Sequence, residues 1–242
     1  MSESENINRV KGLINGEGGN FFFLCNDVIH ALCLYGVIDD LTVISYDAGA
    51  LHESLVDDGV EIFTLNDADF SKLKTTNNLI SHELVKQHLN DQSGQKRLIV
   101  FKNSRVVEEC AKELKLDIMM SCSNIARGIE NKVGFYDDLK NSSVRLVPGE
   151  TAMVTKELTY DEISGKYGDN FVMQASKGFG GKNTFMVRSR DDFCEVKGAY
   201  LKRKMRLTKF IGGETVTVNG CATKLGTLVS QPFFQVTGVE AL

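Results

Sequence analysis

The chain has 242 residues, 42% of them hydrophobic, which is enough to bury one large core or two modest ones. Its 28 Lys and Arg against 32 Asp and Glu give a net charge of -4, so nothing global argues for nucleic acid or another polyanionic partner. The polar opening Met1–Val10 leads into no signal-peptide apolar segment, and no run reaches the length of a membrane span, so a cytoplasmic protein with no membrane partner is expected.

Residues 1–125 alternate short apolar runs with helical patterns, the mark of βα units on a mostly parallel sheet. Strands are predicted at Phe21–Cys25, Leu41–Ser45, Val60–Thr64, Arg97–Phe101 and Asp117–Ser121. Helices are predicted at Asp27–Tyr35 and Ser104–Leu116, each with a polar capping residue near its start. Gly16, Gly18 and Gly19 precede the first strand instead of following it, the wrong side for a dinucleotide fingerprint. NAD and FAD are therefore rejected, and Asn15–Gly16 with Gly18–Gly19 reads as a flexible entry turn. A small ligand of this domain would sit at the strand carboxyl ends.

A single helix is predicted over Ser123–Leu139, after which the character changes. Thr159–Glu162 forms a capping box opening a helix that stops at Gly168. Strands follow at Phe171–Ala175 and Thr184–Arg188, and Ser189–Asp192 starts another helix. Met205–Ile211, Glu214–Asn219, Thr227–Ser230 and Phe233–Val236 complete an antiparallel-looking set. Between Arg145 and Lys209 there are 13 Lys and Arg against 8 Asp and Glu, so this stretch carries +5 and the remainder -9. That asymmetry fits an anionic ligand or a solvated face. Within it, Lys202–Arg206 lacks the interleaved aromatics of a nucleic-acid surface and is read as a strand edge guarded by charge. The six cysteines lack metal-ligand spacing and are expected to be buried free thiols, and the four histidines are dispersed.

The most informative stretch is Phe171–Thr184, strand, glycine-rich loop and strand, with Lys177, Gly178, Gly180, Gly181 and Lys182 in the loop. Glycines let backbone N–H groups close over phosphate oxygens, and lysines add charge. An ordinary hairpin accounts for the same pattern, and no helix or Gly-Lys-Ser/Thr follows that would make it a P-loop.

Taken with its surroundings, this loop resembles part of the ATP-grasp ligases, the group that includes biotin carboxylases, carbamoyl-phosphate synthetases and D-alanine-D-alanine ligases. The resemblance runs from about Glu130 to the C-terminus and rests on Glu130-Asn-Lys132-Val, the strand Val144–Gly149, the capped helix, the loop, a second helix and Thr208-Lys-Phe-Ile-Gly-Gly-Glu214. It implies an α/β fold class with a Rossmann-like pre-ATP-grasp domain at 1–125, a linking helix at 126–143, the α+β lid subdomain at 144–211 and an incomplete start of the C-terminal subdomain at 212–242.

The same resemblance implies ATP as cofactor, with Lys132 reaching its phosphates and Lys177, Gly178, Phe179, Gly180, Gly181 and Thr184 forming the covering loop. Gln174 stands where the group carries a second phosphate-binding lysine; it offers hydrogen bonds without charge, so Lys177 or Lys182 compensates or the site is weaker. Thr208, Lys209, Phe210 and Ile211 correspond to the hinge that meets adenine through main chain, and Glu214 to a ribose-binding carboxylate. The implied reaction activates a carboxylate as an acyl phosphate for attack by an amine or other nucleophile. Its Mg2+ ligands are expected outside this chain, which would be inactive alone, as a shortened ligase or one half of a split one. A homodimer or a partner chain completing the sheet is expected on the same ground. The alternative is a non-catalytic nucleotide-sensing or protein-interaction module.

Overall fold

The computed structural model describes residues 3–16, 18–46, 52–65, 74–178, 181–223 and 226–235, and the chain divides into two units, Met1–Ile129 and Glu130–Leu242. In the first unit the order is α1 (Glu3–Gly16), β1 (Asn20–Leu24), β2 (Leu41–Ser45), α2 (His52–Asp57), β3 (Glu61–Thr64), α3 (Thr76–Ile80), α4 (Glu83–Asp91), β4 (Lys96–Val100), α5 (Arg105–Glu113), β5 (Asp117–Ile118) and α6 (Ser123–Glu130). The strands form one parallel sheet, ordered β3-β2-β1-β4-β5. Both faces are covered, which is why β1 and β2 read as unbroken apolar runs and not as alternation. Phe22, Leu24, Ile44 and Leu98 pack with Leu79, Leu89 and Val107 on one face, while Phe21, Phe23 and Val43 pack with Val28, Ala31 and Leu55 on the other.

Side-chain caps set the helix starts. Thr75, His82 and Ser104 accept the amides of Asn78, Leu84 and Val107 at 3.2, 3.3 and 3.2 Å, opening α3, α4 and α5. Three expectations change. Residues Asn15 and Gly16 end α1 instead of forming a turn, and Asn15 is latched to Asp39 through its Nδ2 (2.7 Å to Oδ2) and its Oδ1, which accepts the Asp39 amide at 3.2 Å. The turn lies at Gly18 and Gly19, whose φ values of +63° and +93° favour glycine. The segment predicted as a helix at Asp27–Tyr35 is a 3-10 helix, Val28–Cys33, capped by Asp27. The fifth strand keeps only two residues of the predicted five.

In the second unit come α7 (Lys132–Leu139), β6 (Gly149–Met153), α8 (Tyr160–Tyr167), β7 (Phe171–Ala175), β8 (Thr184–Val187), α9 (Arg190–Ala199), β9 (Lys204–Lys209), β10 (Val216–Thr217), β11 (Gly220–Thr223), β12 (Gly226–Val229) and β13 (Phe233–Phe234). Strands β6-β9-β7-β8 form an antiparallel sheet, while β10 pairs with β13 and β11 with β12. One face of the four-stranded sheet presents Phe171, Met173, Met205 and Leu207 to Ile163, Phe193 and Val196 of α8 and α9. The period-2 alternation of strands then sends Gln174, Lys204, Arg206 and Thr208 to the other face. Thr159 and Ser189 cap α8 and α9 through the amides of Glu162 and Asp192, as the capping pattern predicts.

The helix expected to run unbroken from Ser123 to Leu139 is two helices. Asn131 interrupts it with an extended ψ of 92° and caps α7 by accepting the Gly134 amide at 3.1 Å. The strand expected at Val144–Gly149 begins at Gly149, because Pro148 has no N–H for a ladder. A Cβ at Gly149 would lie 2.4 Å from the Leu207 carbonyl oxygen, so only glycine lets β6 approach β9 this closely. The basic run Lys202–Arg206 is not an edge either, since β9 lies between β6 and β7. All six cysteines are free, but only Cys25 and Cys110 are buried; Cys33, Cys122, Cys194 and Cys221 are exposed. Among the described residues no helix is long and apolar enough to cross a membrane. Val236 of the last predicted strand lies outside the described residues.

Candidate functional site

Strands β7 and β8 meet at Gln174 and Thr184, and the glycine-rich loop turns beyond them. The Ala175 amide donates to the Asn183 carbonyl at 3.0 Å and the Thr184 amide to Gly181 at 3.1 Å. Asn183 takes the left-handed conformation, φ +64°, and its side chain donates to the Lys177 carbonyl at 2.9 Å while accepting the Tyr200 hydroxyl at 2.7 Å. Gly178 is a close-approach position, since a Cβ there would sit 1.9 Å from the Lys182 carbonyl oxygen. Gly181 has φ +78° with open space around it. Phe179 and Gly180 lie outside the described residues.

Lys132 reaches this loop from α7, of which it is the first residue. Its amide donates to the Ser176 carbonyl at 3.0 Å, and its ammonium Nζ donates to the Gly178 carbonyl. Gln174 gives its Nε2 to the Thr184 hydroxyl at 2.7 Å. The structure therefore brings together Lys132, Gln174, Gly178, Gly181 and Thr184, with Lys177 exposed on the same loop.

The segment Thr208–Ile211 lies at the other end of the sheet. Because β9 runs antiparallel to β7, Arg206 faces Gln174, Thr208 faces Val172 and Lys209 faces Phe171. Phe210 is four residues beyond the Arg206 pair, roughly 13 Å at strand rise. The Lys209 amide donates to Pro148 and the Phe210 amide to Asn170, at 2.9 and 3.4 Å, and Ile211 is 59% exposed. Glu214 is exposed on the irregular stretch before β10, and among the described residues no hydrogen bond or ion pair ties it to either end of the sheet.

Between α7 and this sheet face opens a cleft of about 560 Å³, lined by Asn131, Val133, Gly134 and Asp137 from the helix side and Ala175, Ser176, Arg203 and Lys204 from the strand side. Asp137 accepts hydrogen bonds from Lys204 Nζ and Thr151 Oγ1, both at 2.7 Å, and the Lys204 bond first of all holds its carboxyl below the usual range. Arg206 lies over the Tyr136 ring at 5.4 Å, and burial pushes its guanidinium below its ordinary value. Gln174 Oε1 and Arg206 Nε are buried, with no hydrogen-bond partner among the described residues. A phosphate-bearing ligand fits this chemistry: close-packed glycine backbone, an ammonium at the loop and a guanidinium with an unused donor.

No protein-family model matches the sequence, and no curated protein matches it. Solved structures do. An N5-carboxyaminoimidazole synthase from Aspergillus clavatus, in complex with ADP and 5-aminoimidazole ribonucleotide, superposes with a TM-score of 0.56 at 15% identity, covering 91% of this chain and 54% of its own. The D-alanine-D-alanine ligase of Coxiella burnetii gives 0.55 at 12%, covering 90% and 71%. An L-amino acid ligase from Bacillus licheniformis gives 0.54 at 12%, covering 90% and 50%. The fold is that of part of the ATP-grasp ligases. At these identities the likeness carries the fold alone, and the chain spans about half the length of the first structures it matches, 49% and 56%.

Set in the ATP-grasp fold, the site holds residues that pattern reading passed over. Ser176 and Asn183 shape the loop through main-chain and side-chain bonds. The only trace of Asn183 in the sequence is an asparagine two residues after a glycine pair, a residue type that tolerates the left-handed region. Arg206 was legible only as part of a charge run; the alternation Lys204, Arg206, Thr208 against Met205, Leu207 is what sorts it onto the open face.

Proposed function

We propose that the second unit binds ATP along the open face of the β6-β9-β7-β8 sheet, as the nucleotide-covering portion of a ligase that activates a carboxylate for attack by an amine or other nucleophile. The observation that carries this reading is the meeting of Lys132 with the glycine-rich loop at the Gln174 end of β7, with the Thr208–Ile211 segment at the opposite end. That spacing suits an extended nucleoside triphosphate, phosphates under the loop and adenine at the segment. Since the Lys209 and Phe210 amides already have partners, the adenine edge would meet main chain from Phe210 onward. Lys132 and the loop amides hold the phosphates, Thr184 and Gln174 fix the strand ends beneath them, and Glu214 is assigned to the ribose hydroxyls. When bound, the nucleotide supplies the phosphoryl group that turns a carboxylate into an acyl phosphate.

Magnesium belongs to the same proposal, offsetting phosphate charge. Among the described residues no three carboxylate, imidazole or thiol groups converge on a point where they could hold a metal, and none is assigned to it. The finer division into a pre-ATP-grasp domain at 1–125, a linking segment at 126–143, a lid at 144–211 and the first part of a further subdomain from 212 is part of this reading, as is a cytoplasmic setting. A second copy or a partner chain is proposed to cover the exposed apolar side chains Val216, Val218, Leu228, Val229, Phe233 and Phe234. One observation favours a nucleotide-sensing module without catalysis: Gln174 brings no charge to the loop and spends its Nε2 on Thr184.

Calorimetric titration of the chain with a non-hydrolysable ATP analogue, with and without magnesium, tests the reading. Binding is expected, and Lys132→Ala should weaken it by about tenfold or more, the loss of one charge-assisted contact. Unchanged affinity in Lys132→Ala would remove the phosphate role from Lys132 and with it the orientation of the nucleotide.

A further inference from the structure

Strand β7 carries no positive charge on its open face, and its cross-strand neighbour there is Arg206, directly opposite Gln174 in the β7–β9 register. The guanidinium is flanked by the Tyr136 ring of α7. Among the described residues no carboxylate forms an ion pair with it: Asp137, the acid on the facing helix, is engaged by Lys204 and Thr151. Its Nε is buried and has no hydrogen-bond partner among the described residues, as is true of Gln174 Oε1 across the pair. A half-buried guanidinium without a counter-ion loses part of its hydration, and an anion bound beside it would offset that cost. The cleft beside it opens at Ala175, Ser176 and Lys204, next to the glycine-rich loop.

We propose that Arg206 supplies, from the adjacent strand, the phosphate-binding charge that Gln174 does not, so that the triphosphate is gripped by Lys132 from the helix side and by Arg206 from the sheet. The inference rests on the nucleotide reading above and deepens it. A guanidinium suits the task, because its planar fork can give two parallel N–H bonds to phosphate oxygens where an ammonium gives a point charge. Gln174 then has a role of its own. A neutral side chain at 174 avoids placing a second cation directly across from Arg206, where like charges repel.

The test is calorimetry on the full chain with two probes, a non-hydrolysable ATP analogue and adenosine, for the unaltered protein, Arg206→Met, Arg206→Lys, and Gln174→Lys combined with Arg206→Met. Arg206→Met should weaken the ATP analogue by about tenfold to a hundredfold while adenosine changes by less than about twofold. Arg206→Lys should keep the charge but lose the second parallel bond and so retain part of the affinity, and the double variant should recover a similar part by moving the charge to the strand position across the pair. Equal weakening of both probes with a lowered melting temperature and no recovery in the double variant would mean that Arg206 only packs on Tyr136, and overturns the proposal. So would an Arg206→Met variant that binds the analogue as the unaltered chain does. Failure of the unaltered chain to bind either probe overturns the underlying nucleotide reading as well, which separates the two failures.

Discussion

Replacing Gly178 with alanine tests the loop geometry on which the functional reading stands. The added Cβ would lie 1.9 Å from the Lys182 carbonyl oxygen and 3.0 Å from its carbon, and the obstacle is backbone, which cannot rotate away. The two loop arms must part by more than about 1 Å to reach ordinary contact distance. Two bonds span the gap that would open, Asn183 to the Lys177 carbonyl and Ala175 to the Asn183 carbonyl, and a third ties Gly178 itself to Lys132 of α7. Loss of two of them at ~1 kcal/mol each puts the local cost near 2 kcal/mol, or about thirtyfold in affinity for a ligand that needs the closed loop. Gly181→Ala is the matched control, because its Cβ meets open space and its only burden is φ +78°, worth about 1–2 kcal/mol and shared between free and bound states if the tip keeps its shape. Titration with the ATP analogue should therefore show the larger loss in Gly178→Ala, together with a melting temperature lower by a few degrees, since the Ala175 bond belongs to β7. A Gly178→Ala chain that binds normally while Gly181→Ala does not would refute the assignment of the close approach to ligand binding.

Two further outcomes are expected. His88 stacks on Phe63 at 4.1 Å with its Nε2 buried and without a partner among the described residues, and burial lowers its pKa, so as pH falls the unfolded chain takes up a proton before the folded one does. Stability of the first unit should be full above the ordinary imidazole value of 6.5 and fall as pH drops below it; His88→Phe should flatten that slope, and an unchanged slope in thermal melts would discard the explanation. The exposed Phe233, Phe234, Leu228 and Val229 should drive self-association or capture of a partner, so sedimentation velocity should show species larger than a monomer as concentration rises, against a strict monomer if the surface is inert.

Much of the parallel sheet was readable because its strands are apolar along their length and its main helix begins at a serine cap, features that depend on local sequence alone. The errors fell where a neighbour decides. Val144–Pro148 has strand-like residues, yet pairing begins at Gly149 because proline cannot donate and because glycine is what fits against Leu207 and Thr208. The helix through Glu130 and Asn131 looked continuous by composition, and a single asparagine turned its side chain to the Gly134 amide and restarted it. The short helices α2 and α3 left no period long enough to read, being 6 and 5 residues.

The candidate site shows the same division between local and tertiary information. Glycines 178 and 181 could be named from sequence, but not their different duties, one a close approach to Lys182 and the other a positive φ, because those follow from the path of the returning strand. The basic segment of β9 is the sharper case. Read as a charge run it belongs at a sheet edge, where it would keep other chains from pairing. Placed between β6 and β7, its alternate residues are sorted by the pleat: Met205 and Leu207 enter the core, while Lys204 ties α7 down through Asp137 and Arg206 is left half-buried with a donor unspent. What takes that guanidinium partly out of water is α7, whose Tyr136 ring lies against it, while Lys204 on the same strand and face stays exposed. The unoffset charge under α7 is the physical reason to expect an anion on this face of the sheet.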